Sequence, residues 1–83
     1  MKARMKVLGK EEDLWIESYN INYKDLGMAI LTNEVENAFQ FDSVEHALTE
    51  WKSQSAFCPL RADGYPNRPL TAYTVEIEKV PDV

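Results

Sequence analysis

Residues 42–54, DSVEHALTEWKSQ, decide the fold because they carry the clearest helical pattern in a chain of 83 residues. Val44, Ala47, Leu48 and Trp51 recur at i, i+3, i+4 and i+7, so they form one apolar stripe along a helix. Asp42 is expected to cap this helix, with Glu45 three residues later as the second half of a capping box. The helix is therefore predicted from about residue 43 to residue 54 or 55.

Around this helix the apolar residues recur with period two, which predicts strands. The predicted strands are RMKVLG (4–9), LWIESYNINYK (14–24), MAILT (28–32), the end of NEVENAFQF (33–41) and the end of TAYTVEIEKV (71–80). Asp-Leu-Gly at 25–27 is expected to turn the second strand into the third as an antiparallel hairpin. The order β-β-β-β-α-β predicts a single α+β domain over residues 1–83, in which one amphipathic helix packs on a mainly antiparallel sheet of four to five strands.

The two periodicities together predict a core on the helix-facing side of the sheet. In the second strand, Trp15, Tyr19, Ile21 and Tyr23 share the core face, while Ile16 lies on the opposite, solvated face. The predicted core is Val7, Trp15, Tyr19, Ile21, Ile30, Phe39, Phe41, Val44, Leu48, Trp51, Tyr73, Val75 and Ile77.

Composition places the chain among small globular domains, with 45% hydrophobic and 28% charged residues. Cys58 is the one cysteine, so an internal disulfide is excluded and a reducing, cytoplasmic location is expected. The sequence has neither the apolar run of a signal peptide nor the roughly 20 apolar residues of a membrane span, so no membrane association is expected.

The net charge of −5 is unevenly distributed. Residues 11–58 hold ten acidic residues against Lys24 and Lys52, and such a surface disfavours direct nucleic-acid binding, which needs clustered Lys and Arg. Five acids are expected to line one edge from the third turn through the helix: Glu34, Glu36, Asp42, Glu45 and Glu50. This acidic face is either an ordinary solvated face or an imitation of a phosphate backbone toward a DNA-binding protein.

Catalytic and metal-binding patterns are absent from the sequence. His46 and Cys58 are the only pair that could combine a base with a nucleophile, and they would lie roughly 18 Å apart along a straight helix. One His and one Cys do not supply a zinc site, and the acids do not follow the spacing of a calcium loop. We therefore expect no enzyme activity, no catalytic residue, no metal and no cofactor.

The connection between the helix and the last strand is the strongest candidate for a binding surface. It covers about fourteen residues, well beyond the usual 4 to 6, and Pro59, Pro66 and Pro69 stiffen it. Its candidate partner-binding residues are Arg61, Asp63, Tyr65, Asn67 and Arg68. The alternative is that Phe57, Leu60 and Leu70 pin the loop as a lid over the core, with the arginines in water.

AFQFDSVEHALTEW, followed by the terminal strand YTVEIEKV, resembles a pattern of uncharacterised small α+β proteins encoded by phages and prophages. The resemblance covers about residues 35–80 and carries over no catalytic residue. It implies a protein that acts by binding a host enzyme or a defence complex.

The sequence thus predicts a small non-enzymatic protein-binding module, a phage-encoded modulator or inhibitor of a host or defence protein. The alternative is a structural or assembly module that acts as a homo-oligomer through an edge strand.

Overall fold

The computed structural model describes residues 1–24 and 26–81 and shows a four-stranded antiparallel sheet with one α-helix packed on one face. The elements in chain order are β1 (Ala3–Val7), β2 (Leu14–Asn20), β3 (Met28–Thr32), a 3-10 helix (Val35–Asn37), α1 (Val44–Trp51), a second 3-10 helix (Pro69–Ala72) and β4 (Val75–Lys79). The strand order across the sheet is β3-β2-β1-β4. The predicted α+β class, with an antiparallel sheet and one covering helix, is confirmed.

Helix α1 is capped by Ser43, and the expected cap at Asp42 is wrong. The Ser43 backbone is extended, and its hydroxyl accepts the N–H of His46 at 3.0 Å. His46 completes the cap in the other direction, because its Nδ1 accepts the N–H of Asp42 at 3.3 Å. The Asp42 carboxylate instead accepts a hydrogen bond from the Lys2 ammonium at 3.0 Å.

The helix also ends earlier than predicted, at Trp51. Ser53 lies just beyond it, and its hydroxyl donates to the carbonyl of Thr49 at 2.9 Å. The Thr49 carbonyl thus has a hydrogen-bond donor without a further helical turn, so the helix can end here.

A β-bulge in β2 overturns the predicted face of its first half. Ile16 lies opposite Leu31 and Ser18 lies opposite Ile30, so Glu17 is the extra residue on β2. A one-residue insertion reverses the faces, because side chains alternate with period two. Ile16 is therefore fully buried on the helix side, where Tyr19 also packs, while Trp15 lies on the opposite, outer face.

Strand β2 ends at Asn20 rather than continuing to residue 24. The Asn20 side chain accepts the N–H of Asn22 at 2.9 Å, and its carbonyl accepts the N–H of Tyr23 at 3.3 Å. These bonds turn the chain away from β3. The predicted antiparallel hairpin of β2 and β3 is confirmed; Leu26 lies in a turn, and Asp25 lies outside the described residues.

The strand predicted within residues 33–41 is replaced by the first 3-10 helix and a short extended segment. β1 and β2 pair directly at Lys6–Trp15 and Val7–Leu14. Further along, Phe39 donates its N–H to Ile16 at 2.9 Å, and Phe41 exchanges two backbone bonds with Ala3 at 2.7 and 3.0 Å. Residues 39–41 therefore bond to both strands where β1 and β2 separate beyond the bulge.

The core lies between α1 and the sheet. Its buried hydrophobic cluster is Ala3, Met5, Val7, Ile16, Phe41, Ala47 and Leu70. Val7 and Phe41 were predicted, and Tyr19, Ile21, Val44, Trp51, Tyr73, Val75 and Ile77 pack against the cluster as partly buried neighbours. Ile30, Phe39 and Leu48 were predicted to be buried and are instead 46%, 39% and 40% exposed.

The position of α1 explains part of this difference. Because α1 packs on β1 and β4, the fully buried Ala47 faces the sheet and Leu48 lies at the side of the helix. Phe39 packs against the rings of Tyr19 and Phe41, at centroid distances of 5.5 and 4.8 Å, with its other side in solvent.

The outer face of the sheet carries a polar network. Glu78 accepts the Arg4 guanidinium at 2.6 Å and the Trp15 indole N–H at 2.7 Å. Burial alone would raise the pKa of Glu78, but these two bonds, together with the positive charges of Arg4 and Lys6, outweigh it and hold the pKa below its usual range. Arg4 and Trp15 are thus stabilised on the solvent side of a sheet that is covered on one face.

Candidate functional site

The long connection after α1 is an ordered hairpin. Leu60 and Pro66 form an antiparallel bridge, and Arg61 donates its N–H to the Tyr65 carbonyl at 2.8 Å. At the tip, Gly64 has a φ of 86° and donates its N–H to the Arg61 carbonyl at 2.9 Å. The hairpin thus has its own backbone bonds, and the Asp63-Gly64 pair forms its turn.

Two buried polar residues fix the base of this hairpin. Ser55 is 1% exposed and donates its N–H to the Asn67 carbonyl at 2.8 Å, while its hydroxyl accepts the N–H of Cys58 at 3.0 Å. Asn67 is 6% exposed and donates its amide to the Cys58 carbonyl at 2.8 Å. Asn67 was predicted to contact a partner, and the structure places it inside the base of the hairpin.

The other predicted residues of the loop lie on its surface. Arg61 pairs with Asp63 at 2.6 Å, and the side chains remain 59% and 44% exposed. Asp63 also accepts the N–H of Tyr65 at 3.1 Å. Tyr65 is 67% exposed, and Arg68 is exposed before the second 3-10 helix. The structure therefore brings Arg61, Asp63 and Tyr65 together at the hairpin tip.

The turn between β2 and β3 meets this connection at one end of the molecule. Ala56 donates its N–H to the Asn22 side chain at 2.7 Å. Gly27 lies so close to Pro69 that a Cβ on the glycine would be 2.6 Å from the Cβ of the proline. Two segments far apart in sequence are thus held against each other by a hydrogen bond and a tight contact.

Five large apolar or aromatic side chains from these two segments are exposed. Leu26 is 84% exposed, and the other four are Phe57 (68%), Tyr65 (67%), Leu60 (55%) and Tyr23 (43%). Leu26 lies at the centre, because it lines a depression with Tyr23 and Phe57 and another with Leu60 and Arg61. We call these five residues, with Arg61 and Arg68, the loop-end surface.

Sequence reasoning identified only the Arg61, Tyr65 and Arg68 part of this surface. Tyr23 was assigned to a strand, and Phe57 and Leu60 to a lid. The lid interpretation is wrong for Phe57 and Leu60, which are exposed, and only Leu70, at 1% exposure, enters the core. A leucine within the turn Lys-Asp-Leu-Gly was the available indication, because a turn on the surface has little core to bury it in.

The acidic face is partly committed to contacts within the chain. The Lys2 ammonium lowers the pKa of the Asp42 carboxyl, and Glu34 accepts the Asn37 amide at 2.9 Å. Glu50 accepts the Tyr19 hydroxyl at 2.8 Å; burial and this carboxylate raise the pKa of Tyr19. Glu36 and Glu45 are exposed. Three of the five carboxylates therefore already have donors from the same chain.

His46 and Cys58 occupy separate hydrogen-bonded positions. His46 serves the helix cap and packs edge-on against Phe41 at 5.6 Å. The Cys58 thiol lies 3.6 Å from the Leu60 carbonyl. Within residues 1–24 and 26–81, no group of three or more His, Cys, Asp or Glu side chains could hold a metal ion.

Helices long and apolar enough to cross a membrane are likewise absent from the described part of the chain. Comparisons with protein-family models, curated proteins and solved structures found no match to this chain.

Proposed function

We propose that this chain is a small non-enzymatic protein-binding module that contacts its partner through the loop-end surface. The observation that carries the proposal is the exposure of Tyr23, Leu26, Phe57 and Leu60 around the junction of two segments, with Tyr65 exposed on the adjoining hairpin tip. Grouped exposed apolar side chains, unlike single scattered ones, are typical of interaction sites.

The residue types of the surface favour a protein partner. Tyr and Arg are enriched among the residues that dominate binding energy at protein interfaces. Arg61 and Arg68 flank the apolar centre, and Arg68 lines a depression with Leu26. A partner with an apolar or aromatic anchor and nearby carboxylates would complement this arrangement.

Order in the surface before binding supports the same proposal. The hairpin has its own bridge and its base is pinned at Ser55 and Asn67. Because a pre-ordered loop loses less conformational entropy on binding, more of the contact energy contributes to affinity.

The biological context of the proposal comes from the resemblance to small phage and prophage proteins. On that basis we propose a host or defence protein as the partner class and a modulator or inhibitor as the role.

A pull-down from bacterial lysate tests the surface when three forms of the chain are compared. Leu26→Ser/Phe57→Ser removes the apolar centre without changing charge, and Leu48→Ser is the matched control because Leu48 is 40% exposed on the helix. We expect wild type and control to capture the same partner and the double variant to lose it. Capture that is equal in all three forms, or no capture by wild type, would contradict the proposal.

A further inference from the structure

The two edges of the sheet differ in how well they are protected. β3 and β4 are the outer strands, and within the described residues β3 is hydrogen-bonded to β2 alone. Exposed edges normally carry charges, proline or bulges that prevent pairing with another chain. β4 has such charges in Glu76, Glu78 and Lys79, whereas β3 has the sequence MAILT, with no charge, proline or glycine.

Two side chains of β3 make this open edge apolar. Ile30 and Met28 lie on the outer face of the sheet, opposite Ser18 and Asn20 of β2. They are 46% and 39% exposed, respectively. An uncharged strand with exposed aliphatic side chains is suited to pair with a further strand.

Self-pairing is possible at the β3 edge and disfavoured at the β4 edge. Antiparallel pairing of two β3 strands about Ile30 places Met28 opposite the partner's Thr32, and Ala29 opposite the partner's Leu31, with no opposed charges. Antiparallel pairing of two β4 strands about Ile77 would place Glu76 of each copy opposite Glu78 of the other. Two pairs of like charges would then face each other.

We propose that this chain forms a two-fold symmetric dimer in which the β3 strands of two copies pair antiparallel, centred on Ile30. The dimer joins two four-stranded sheets into one continuous sheet, with the charged β4 strands at its outer edges. Because a two-fold contact uses the same surface on both copies and leaves only protected edges, the assembly stops at two. This inference does not depend on the loop-end surface.

Sedimentation of three forms over a range of concentrations tests the dimer. Ile30→Lys places two like charges at the two-fold axis, and Leu48→Lys is the matched control, at 40% exposure on the helix. Wild type and control should approach twice the 9.6 kDa chain mass, and Ile30→Lys should raise the dissociation constant at least about tenfold. Wild type that stays monomeric at millimolar concentration, or a dimer insensitive to Ile30→Lys, would overturn the proposal.

A second measurement on the unchanged chain decides the matter if Ile30→Lys fails to fold. Isotope-filtered nuclear Overhauser spectra of mixed labelled and unlabelled protein report contacts between copies only. We expect contacts from Ile30 to the partner's Ile30 and from Met28 to the partner's Thr32. Contacts from the loop-end surface alone, or no contact between copies at all, would show that β3 does not pair with itself.

Discussion

Gly27 is the residue on which the junction of the two loops depends most directly. Its φ of 67° lies in the left-handed region, and Pro69 occupies the space where a side chain would begin. Gly9 also has a positive φ, of 80°, but no atom lies within 4 Å of the position of its missing Cβ. A side chain added at Gly9 would therefore cost only backbone strain, whereas one added at Gly27 would cost backbone strain and a clash with Pro69.

Gly27→Ala is expected to destabilise the chain by at least about 1 kcal/mol more than Gly9→Ala. Both substitutions place an alanine at positive φ, and only the one at residue 27 also forces the added methyl against the Pro69 ring. Urea unfolding followed by tryptophan fluorescence measures both free energies. An equal loss of unfolding free energy in the two variants would show that Pro69 shifts at little cost to make room for the methyl group.

Glu78 links stability to pH through its bonds to Arg4 and Trp15. Its pKa is lower in the folded chain, so its ionised form stabilises the fold above the ordinary Glu pKa of about 4.3. That contribution is lost as pH falls through the lower pKa of the folded state.

Glu78→Gln should therefore cost about 1 kcal/mol at pH 7, and the difference from wild type should shrink steadily below about pH 4. Glu76→Gln, on the same strand and face, is the control. Thermal unfolding from pH 7 to pH 3 gives the comparison. A wild-type advantage that persists unchanged at pH 3 would contradict the assigned role of the carboxylate.

At the scale of elements, the helix and the positions of β1, β3 and β4 are readable from sequence because their periodicity is local, although Ile30 of β3 was assigned to the wrong face. β2 is only half readable: the extra residue at Glu17 reverses its faces, and no local pattern marks a bulge. The strand predicted within residues 33–41 is wrong for a related reason. Residues 39–41 bond to β1 and β2 where these strands separate, and no local pattern shows that separation.

The helix cap gives a direct comparison of two adjacent residues. Ser43→Ala should cost about 1 kcal/mol, because it leaves the His46 N–H without its acceptor. Asp42→Ala should cost less, because it removes only exposed pairs, with Lys2 at 3.0 Å and with His46 at 4.0 Å. Chemical denaturation ranks the two variants, and a larger loss for Asp42→Ala would restore Asp42 as the cap.

Adjacent residues of the loop hairpin, the buried Asn67 and the exposed Arg68, can also be compared by their effects on stability. Asn67→Ala should destabilise the chain by about 2 kcal/mol, because it removes a buried amide that bonds to the Cys58 carbonyl. Arg68→Ala should change stability by less than about 0.5 kcal/mol. Unfolding midpoints measure both effects, and a neutral Asn67→Ala would mean that the base of the hairpin is not fixed by this residue.

At the scale of the whole molecule, the sheet and helix act as a support that brings two distant loops together. Sequence reasoning found the connection after α1 because its length and its prolines are local features. It could not find Tyr23 and Leu26, since their proximity to Phe57 arises only from the packing of the β2–β3 turn against that connection.

Hydrogen–deuterium exchange of the chain alone and with its captured partner tests the loop-end surface most directly. Binding should slow exchange at residues 21–24, 26–27 and 54–68, where the backbone of the two loops lies, and leave α1 unchanged. Protection confined to α1 and the acidic face would contradict the proposed binding surface and favour the imitation of nucleic acid instead.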